Sequence, residues 1–227
     1  TAPQILETSA GRGMKPFFWN TVTEEMREIL HGFFNSPLGK KFHLAGGTAL
    51  SLQIGHRKSI DLDLFSQTED IPTIRNSLLQ SLSSFSPELA DSSWGNLVFL
   101  ARNVRVGFYG YGYELVRPLI AEGPVQLASL EDIALMKMDA LLSRATRKDF
   151  YDLYFVTQKI PFETLFELAK SKYPSVRDFE VQVVKRLVYF ESAEYDADPV
   201  FLLPANWGSV KNYFTQKAKA IEKSWLE

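Results

Sequence analysis

Hydrophobic and polar residues follow two different periods along the chain, and the change falls near residue 130. In the first part, short apolar runs predict strands over 42–45, 61–65, 97–100 and 104–109. Apolar residues at helical spacing predict helices over 19–34, 48–53 and 71–84. This part of the chain is therefore expected to mix strands and helices.

The second part is expected to be mainly helical. From Leu130 onward, apolar residues recur at helical spacing and strand signals nearly vanish. Further helices, separated by proline-containing stretches, are predicted over 150–157, 162–170, 179–190 and 210–224. With a boundary near Glu122-Gly123-Pro124, the pattern predicts an α+β fold with a mixed domain over 1–124 and a mainly helical domain over 125–227.

Composition favours a globular protein without membrane spans. The 227 residues are 45% hydrophobic and 13% aromatic, enough for one sizeable core or two small domains. No apolar run approaches the roughly 20 residues of a membrane span, and Thr1-Ala2-Pro3-Gln4 lacks a signal pattern. We therefore expect a soluble, cytoplasmic protein with no membrane partner. The lack of cysteine excludes disulfides, thiolate catalysis and cysteine-ligated metals, and three histidines make a His-rich metal site a poor fit.

The formal net charge of −2 argues against general polyanion binding, because nonspecific affinity for nucleic acids rests on Lys and Arg neutralising phosphates. Any RNA contact would need a local basic patch. Candidate patches are 56–58, Arg102 with Arg105, and 144–148. Each of these patches can equally be a solvated face.

The most informative segment is a predicted strand that carries two acids, Asp61 and Asp63. Alternation puts Ser59 and both acids on one face of the extended chain. The other face, expected to point into the core, carries Ile60, Leu62 and Leu64. Same-face neighbours lie about 7 Å apart, so at an effective dielectric of about 20 the two charges repel by roughly 2 kcal/mol. This repulsion calls for a cation, and paired carboxylates suit Mg²⁺; the alternative is a solvent-facing strand with incidental acids.

A diglycine, Gly46-Gly47, precedes Thr48 between the first predicted strand and a short helix. Backbone N–H groups at the start of that helix could face a phosphate without obstruction by side chains. Such glycines can also be present only because the backbone turns sharply. The diglycine comes some fourteen residues before the acidic strand, so both features can face one crevice.

Basic residues mark the helix that begins the second part. Lys137, Arg144 and Lys148 follow one helical face together with Leu141. Lys137 lies among apolar residues, from which it could reach a phosphate or a catalytic carboxylate. The alternative is that its side chain extends along the surface to solvent.

Two acids follow this basic helix, and each has a structural and a functional interpretation. Asp149 fits a helix-start capping pattern with Thr146 as the cap. Asp152 could simply pair with Lys148 or Arg147. Either acid could instead contribute to the site that Lys137 faces.

Taken together, these residues resemble the AbiEii-type nucleotidyltransferase toxins, a branch of the polymerase-beta-like nucleotidyltransferase superfamily. The resemblance runs in family order from about residue 42 to residue 155. It rests on Leu44-Ala45-Gly46-Gly47-Thr48-Ala49-Leu50, His56-Arg57 with Ser59, Asp61-Leu62-Asp63-Leu64-Phe65, Leu130-Glu131-Asp132-Ile133-Ala134 with Lys137, Arg144, Lys148-Asp149 and Asp152-Leu153.

The resemblance implies a nucleotidyltransferase-like mixed sheet with flanking helices, and a Mg²⁺-dependent enzyme that uses a nucleoside triphosphate (NTP). It implies that Asp61 and Asp63 hold the metal and that Lys137 and Asp149 complete the catalytic set. The residues implied to bind the nucleotide are Gly46, Gly47, Thr48, Arg57, Ser59, Arg144, Lys148 and Asp152.

The resemblance also bears on partners. Characterised members act as toxins that a separately encoded antitoxin neutralises, and some add nucleotides to the acceptor end of tRNA. The implied acceptor is therefore a nucleic-acid 3′ hydroxyl or a protein hydroxyl. The implied role is the toxin of a toxin–antitoxin or phage-defence pair.

One position departs from the pattern of the wider fold. The fold usually carries a third carboxylate on a later strand, where this chain has Gly107. Asp149, Asp152 or Glu114 could substitute, or a single metal could suffice. Two other functions stay open at this point: a kinase-like phosphotransferase, and a module that binds nucleotide without turnover.

Overall fold

The structure, a computed structural model, describes residues 17–93 and 95–226, so Thr1 to Gln4 lie outside the described residues. The strands in these ranges are β1 (His43–Leu44), β2 (Asp61–Ser66), β3 (Glu88–Asp91), β4 (Leu97–Ala101), β5 (Val104–Gly110), β6 (Ile120–Glu122) and β7 (Val125–Leu127). They form one mixed sheet in the order β3-β4-β5-β2-β1-β7-β6. The predicted α+β fold with a mixed sheet is confirmed.

Helices flank the sheet and make up most of the second half. They are α1 (Glu24–Phe34), α2 (Gly46–Ile54), α3 (Arg75–Ser81), α4 (Leu130–Ser143), α5 (Arg147–Thr157), α6 (Phe162–Lys172), α7 (Phe179–Leu187) and α8 (Trp207–Ser224). None of the helices among the described residues is both long and apolar enough to cross a membrane.

Some helices begin or end at other residues than the sequence predicted, and three strands were missed. The helix predicted over 71–84 is only α3, because the chain makes a turn at 70–73 in which Thr73 N–H donates to the Asp70 carbonyl. The helix predicted from 210 begins earlier, at Trp207, where the Asn206 side chain accepts from Ser209 N–H as a cap. The strands β3, β6 and β7 were not predicted, because they have three or four residues and too short a pattern to recognise.

The predicted domain boundary falls in the turn of a hairpin. β6 and β7 pair antiparallel, with Glu122 opposite Val125, and β7 continues the sheet through the parallel pair Leu44 and Leu127. The first strand after the boundary therefore belongs to the sheet of the first half. A division of the chain into domains 1–124 and 125–227 stays a prediction.

One face of the central strands packs into an aromatic core. Leu62 and Leu64 of β2 are fully buried, as the alternation predicted. Phe108 of β5 lies opposite Leu64, and its ring contacts Phe33 of α1 at a centroid distance of 5.2 Å. The expectation for Ile60 is wrong: it precedes β2 and is 64% exposed. The core therefore begins only at the strand, and the opposite face of β2 is left for the acids.

We predict that His43 makes stability depend on pH. Its ring, in β1, is 4% exposed, and burial lowers its pKa to about 4, with Asp132 raising and Lys172 further lowering it. An unfolded histidine titrates near pH 6.5, so this contribution is complete above about pH 6.5 and is lost as the pH falls towards 4.

Between pH 7 and pH 5 the free energy of unfolding should fall by about 2 kcal/mol more in the wild type than in His43→Leu. Urea unfolding at both pH values measures this. Only the slope with pH matters, so a change in the variant's absolute stability does not affect the comparison. Equal slopes for the two proteins would contradict the prediction.

Candidate active site

Two adjacent parallel strands present the acids to an open cleft. In the register of β2 and β5, Asp61 lies beside Arg105, Asp63 lies beside Gly107, and Phe65 lies beside Tyr109. The cleft has a volume of about 760 Å³. The predicted site residues that line it are Gly46, Gly47, Thr48, Arg57, Ser59, Asp61, Asp63, Lys137, Arg144, Lys148 and Asp149. Asp152, the other predicted residue, lies buried beneath it.

The diglycine forms the first turn of α2, whereas the sequence predicted a separate turn and a helix start at Thr48. Gly46 has φ +64°, and a Cβ there would lie 2.8 Å from Asp63 Oδ2. A Cβ at Gly47 would lie 2.1 Å from the Arg57 guanidinium. Both positions therefore exclude a larger residue: the first by its backbone conformation and by contact with Asp63, the second by contact with Arg57.

The N-terminus of α2 lies against the acid pair. The first N–H groups of a helix have no partner within it, and this end carries partial positive charge. Ala45, the residue before α2, donates its N–H to the Asp63 carbonyl at 3.0 Å and so joins the helix start to the acidic strand. A potential anion site and a potential cation site therefore adjoin.

The side chains of Thr48 and Ser59 are used within the protein. The Thr48 hydroxyl is 2.7 Å from Ser59 Oγ and donates to the Asp61 carbonyl, and both side chains are buried. These contacts join α2 to the start of β2. Thr48 is therefore available to a ligand through its backbone N–H.

A buried ion-pair network, centred on Asp152 of α5, lies under the cleft. Asp152 Oδ1 accepts from His56 Nε2 at 2.8 Å and from Arg57 Nε at 2.7 Å, and Oδ2 accepts from Arg57 Nη2 at 2.9 Å. Lys137 Nζ lies 2.7 Å from Oδ2. Burial would raise the pKa of Asp152, but Arg57 and Lys137 outweigh it and hold that pKa well below its usual range. Asp152 is therefore ionised, and it does not pair with Lys148 or Arg147.

Lys137 connects Asp152 to the second acid. Its Nζ donates to Asp149 Oδ1 at 2.9 Å, and the residue is 5% exposed, so it does not extend to solvent. Burial would lower the pKa of Lys137, but Asp152 and Asp149 together raise it. Its amine is therefore a fixed positive charge at one wall of the cleft.

Asp149 makes the contacts that both interpretations of its role predict. It completes a capping box with Thr146 at the start of α5. It also accepts from Arg144 Nε at 2.9 Å, besides its bond to Lys137. Burial would raise the pKa of Asp149, but Lys137 and Arg144 lower it far below its usual range.

The expectation of one continuous basic face is wrong. α4 ends at Ser143, Ala145 has φ +46°, and α5 begins at Arg147. Lys148 therefore lies on a different helix from Lys137, although its exposed side chain reaches the same cleft. The break is what allows Asp149 to turn back towards Lys137.

The environment of the acid pair favours a bound cation. Burial raises the pKa of Asp63, and so does the neighbouring Asp61, while Lys137 and Arg144 act against this rise. A cation that both carboxylates contact would offset burial and repulsion together. Among the described residues, no group of three or more His, Cys, Asp or Glu side chains could hold a metal ion. The pair would therefore take its remaining ligands from water or substrate.

The structure adds cleft residues that the sequence did not assign to the site. Arg105, named only as part of a basic patch, lies beside Asp61, and Tyr109 lies beside Phe65. Alternation along β5 could have found both, had the parallel register with β2 been known. Asp139 also lines the cleft, and burial raises its pKa; no local motif marks it.

A family profile and a sequence relative each match most of this chain. A profile of the family described as "Nucleotidyl transferase AbiEii toxin, Type IV TA system" matches residues 28–95 and 103–225. The uncharacterized protein aq_aa25 of Aquifex aeolicus (strain VF5) is 34% identical over 210 residues, which are 86% of this chain and 95% of that protein.

Two solved structures share the fold. MenT4, the nucleotidyltransferase toxin Rv2826c from Mycobacterium tuberculosis H37Rv, matches 85% of this chain and 81% of its own, with a TM-score of 0.55 and 14% identity. A protein from H. pylori, provisionally described as a nucleotidyltransferase, matches 90% of this chain and 95% of its own, with a TM-score of 0.53 and 20% identity.

We predict that Asp152→Asn destabilises the fold by about 3–5 kcal/mol, because it leaves the buried Arg57 and Lys137 short of a counterion. Urea unfolding at pH 7 measures this loss. The matched control is Glu167→Gln, which breaks the ion pair with Lys170 on the surface of α6 and should leave the unfolding midpoint unchanged. Equal effects of the two substitutions would contradict the central role of Asp152.

Proposed function

This chain belongs to the AbiEii nucleotidyl transferase toxin family, and from that membership we propose that it moves a nucleoside monophosphate from an NTP to a hydroxyl acceptor with the help of Mg²⁺. The acceptor would be the 3′ end of tRNA or a protein hydroxyl. The observation that carries this proposal is the close approach of Asp63 to Gly46, which sets an acid pair against the N-terminus of α2. An NTP bound to a divalent cation needs both features, because it carries phosphate and metal together.

The acid pair fits Mg²⁺. Asp61 and Asp63 offer carboxylate oxygens, and Mg²⁺ in proteins is held by one or two carboxylates together with water and substrate phosphates. When bound, the ion would neutralise phosphate charge that develops as the bond to pyrophosphate breaks. In our proposal Asp61 and Asp63 hold it.

The phosphates would bind along the start of α2. The backbone N–H groups of Gly46, Gly47 and Thr48 have no partner within the helix and would donate to phosphate oxygens. Arg144, whose side chain is 62% exposed, and the exposed Lys148 would add positive charge from the junction between α4 and α5. Arg57 has a different role, because its guanidinium is committed to Asp152.

Lys137 and Asp149 would act as a unit. Lys137 stays protonated, so it would stabilise negative charge at the transferring phosphate and would not act as a base. Asp149 already accepts from both Lys137 and Arg144, so we propose that it positions these two cations. Both acids of the network, Asp149 and Asp152, are thus poor substitutes for a third metal ligand.

The reaction exchanges a phosphoanhydride bond of the NTP for a phosphoester bond to the acceptor. The acceptor oxygen would form a bond to the α-phosphorus, the bond from that phosphorus to the pyrophosphate oxygen would break, and the hydroxyl proton would leave to water in the cleft. Positioning and charge stabilisation account for most of the catalysis in such transfers. The residues proposed here supply these two effects.

We also propose a cellular role, as the toxin of a toxin–antitoxin or phage-defence pair in the cytoplasm. It rests on the family, whose description names a type IV toxin–antitoxin system. A cognate antitoxin protein would be the partner.

We predict that the wild type, incubated with Mg²⁺, total RNA and each α-labelled NTP in turn, transfers label to RNA or protein. Asp63→Asn should lower this transfer by on the order of 100-fold or more, because the variant loses a carboxylate at the reacting phosphates. Expression of the wild type, but not of Asp63→Asn, should slow growth of the host. Glu167→Gln, far from the cleft on α6, is the control for both measurements.

A parallel reaction with γ-labelled NTP separates nucleotidyl transfer from phosphotransfer. Label transferred only from the γ position would favour a kinase-like enzyme and contradict the proposal. If no label is transferred from any NTP to a broad panel of acceptors, the result would favour a module that binds nucleotide without turnover.

A further inference from the structure

Another side chain fills the space at Gly107, where we expect a third acid from the pattern of the wider fold. Gly107 lies beside Asp63 in the register of β5 and β2 and is buried. A Cβ at Gly107 would lie 2.3 Å from the Tyr109 hydroxyl oxygen and 2.5 Å and 2.6 Å from two atoms of its ring. Tyr109 therefore lies back along its own strand over Gly107, and any larger residue at that position would displace it.

Contacts on both sides hold the Tyr109 side chain in this place. Its ring stacks on Phe65 with centroids 5.1 Å apart and an interplanar angle of 27°. Its hydroxyl lies over Gly107, the residue beside Asp63, and it is close enough to the Asp63 carboxylate for each group to affect the pKa of the other. The hydroxyl thus lies where a carboxylate on residue 107 would begin, and it faces the same neighbour.

We propose that Tyr109 is a positioning residue for Asp63, and that its hydroxyl, in the space left by Gly107, replaces a third carboxylate so that the site holds a single divalent cation. The proposal rests on the part of the proposed function in which Asp61 and Asp63 bind that cation. The absence of a side chain at Gly107 is then a requirement of the site, since it makes room for the tyrosine.

Charge balance supports one cation. A third carboxylate would add a negative charge within a few ångströms of Asp61 and Asp63, and two divalent cations could then share the site. A neutral phenol adds a hydrogen-bond donor and no charge. A tyrosine hydroxyl ordinarily keeps its proton at neutral pH, so it is available to donate a hydrogen bond.

A purely structural role for Tyr109, as packing for Phe65, predicts something different. Packing depends on the ring and not on the hydroxyl. Tyr109→Phe keeps the ring and removes only the hydroxyl, so it separates the two roles. Tyr111→Phe is the matched control, because Tyr111 lines the same cleft but directs its hydroxyl to Tyr173 at 2.9 Å.

The experiment measures Mn²⁺ binding without nucleotide, from the loss of the free-ion electron paramagnetic resonance signal. We expect one Mn²⁺ per wild-type chain, and none for Asp63→Asn. Tyr109→Phe should bind about 10- to 100-fold more weakly, the range for losing an outer partner of a metal-binding side chain. Tyr111→Phe should bind Mn²⁺ as the wild type does, even though the loss of its hydrogen bond to the buried Tyr173 lowers its unfolding midpoint. Both variants should remain folded at the temperature of the binding measurement.

A pair of glycine substitutions tests the space itself. Gly107→Ala should weaken Mn²⁺ binding about as much as Tyr109→Phe, because the new methyl group displaces the hydroxyl. The double variant with Gly107→Ala and Tyr109→Phe should bind Mn²⁺ little more weakly than either single variant, since both substitutions remove the same contact. Gly112→Ala is the control: a Cβ there meets nothing within 4 Å, and binding should not change.

Unchanged affinity in Tyr109→Phe would overturn the positioning role, and two Mn²⁺ per wild-type chain would overturn the single-cation site. If the wild type binds no Mn²⁺ yet transfers label, the inference fails while nucleotidyl transfer stands. If Mn²⁺ binding follows the expected pattern and no label is transferred, the inference stands and the proposed reaction fails.

Discussion

The site depends on one buried carboxylate, that of Asp152. It accepts hydrogen bonds from Arg57 and His56, which lie between α2 and β2, and it contacts Lys137 of α4. Charged groups are tolerated in a protein interior only when their charges and hydrogen bonds are matched. Asp152 therefore requires α4, α5 and the segment before β2 to meet at one point, and that meeting point is one wall of the cleft.

The charges around this point are arranged in alternation. The network carries two carboxylates, Asp149 and Asp152, and the three cations Arg57, Lys137 and Arg144. Its surplus positive charge faces the acid pair on β2. The diglycine lies where the two groups meet, since a Cβ at Gly46 would collide with Asp63 and one at Gly47 would collide with Arg57. These two glycines are required by the close approach of charged side chains, which a turn alone would not explain.

Much of the fold and of the candidate site followed from local patterns. Alternation located β2 and β5, helical spacing located α4, and the motifs named the cleft residues from Gly46 to Asp149. The patterns failed where elements were short, as in β3, β6 and β7, and where a helix broke. The positive φ at Ala145 separates α4 from α5, and periodicity across residues 137–148 does not reveal it. Spacing therefore placed Lys148 on the wrong face while still assigning it to the right cleft.

The sequence by itself determined which chemical groups are present and which of them are neighbours along one element: two acids on a strand, glycines at a helix start, cations on the helices that follow. Tertiary structure alone decided which groups meet. Arg57 and Asp152 are 95 residues apart in the chain, and Gly107 comes to lie beside Asp63 through a parallel register. Local periodicity records only which face a side chain occupies. The partner on that face depends on how distant elements pack, which is why the place of Tyr109 over Gly107 became visible only in the folded chain.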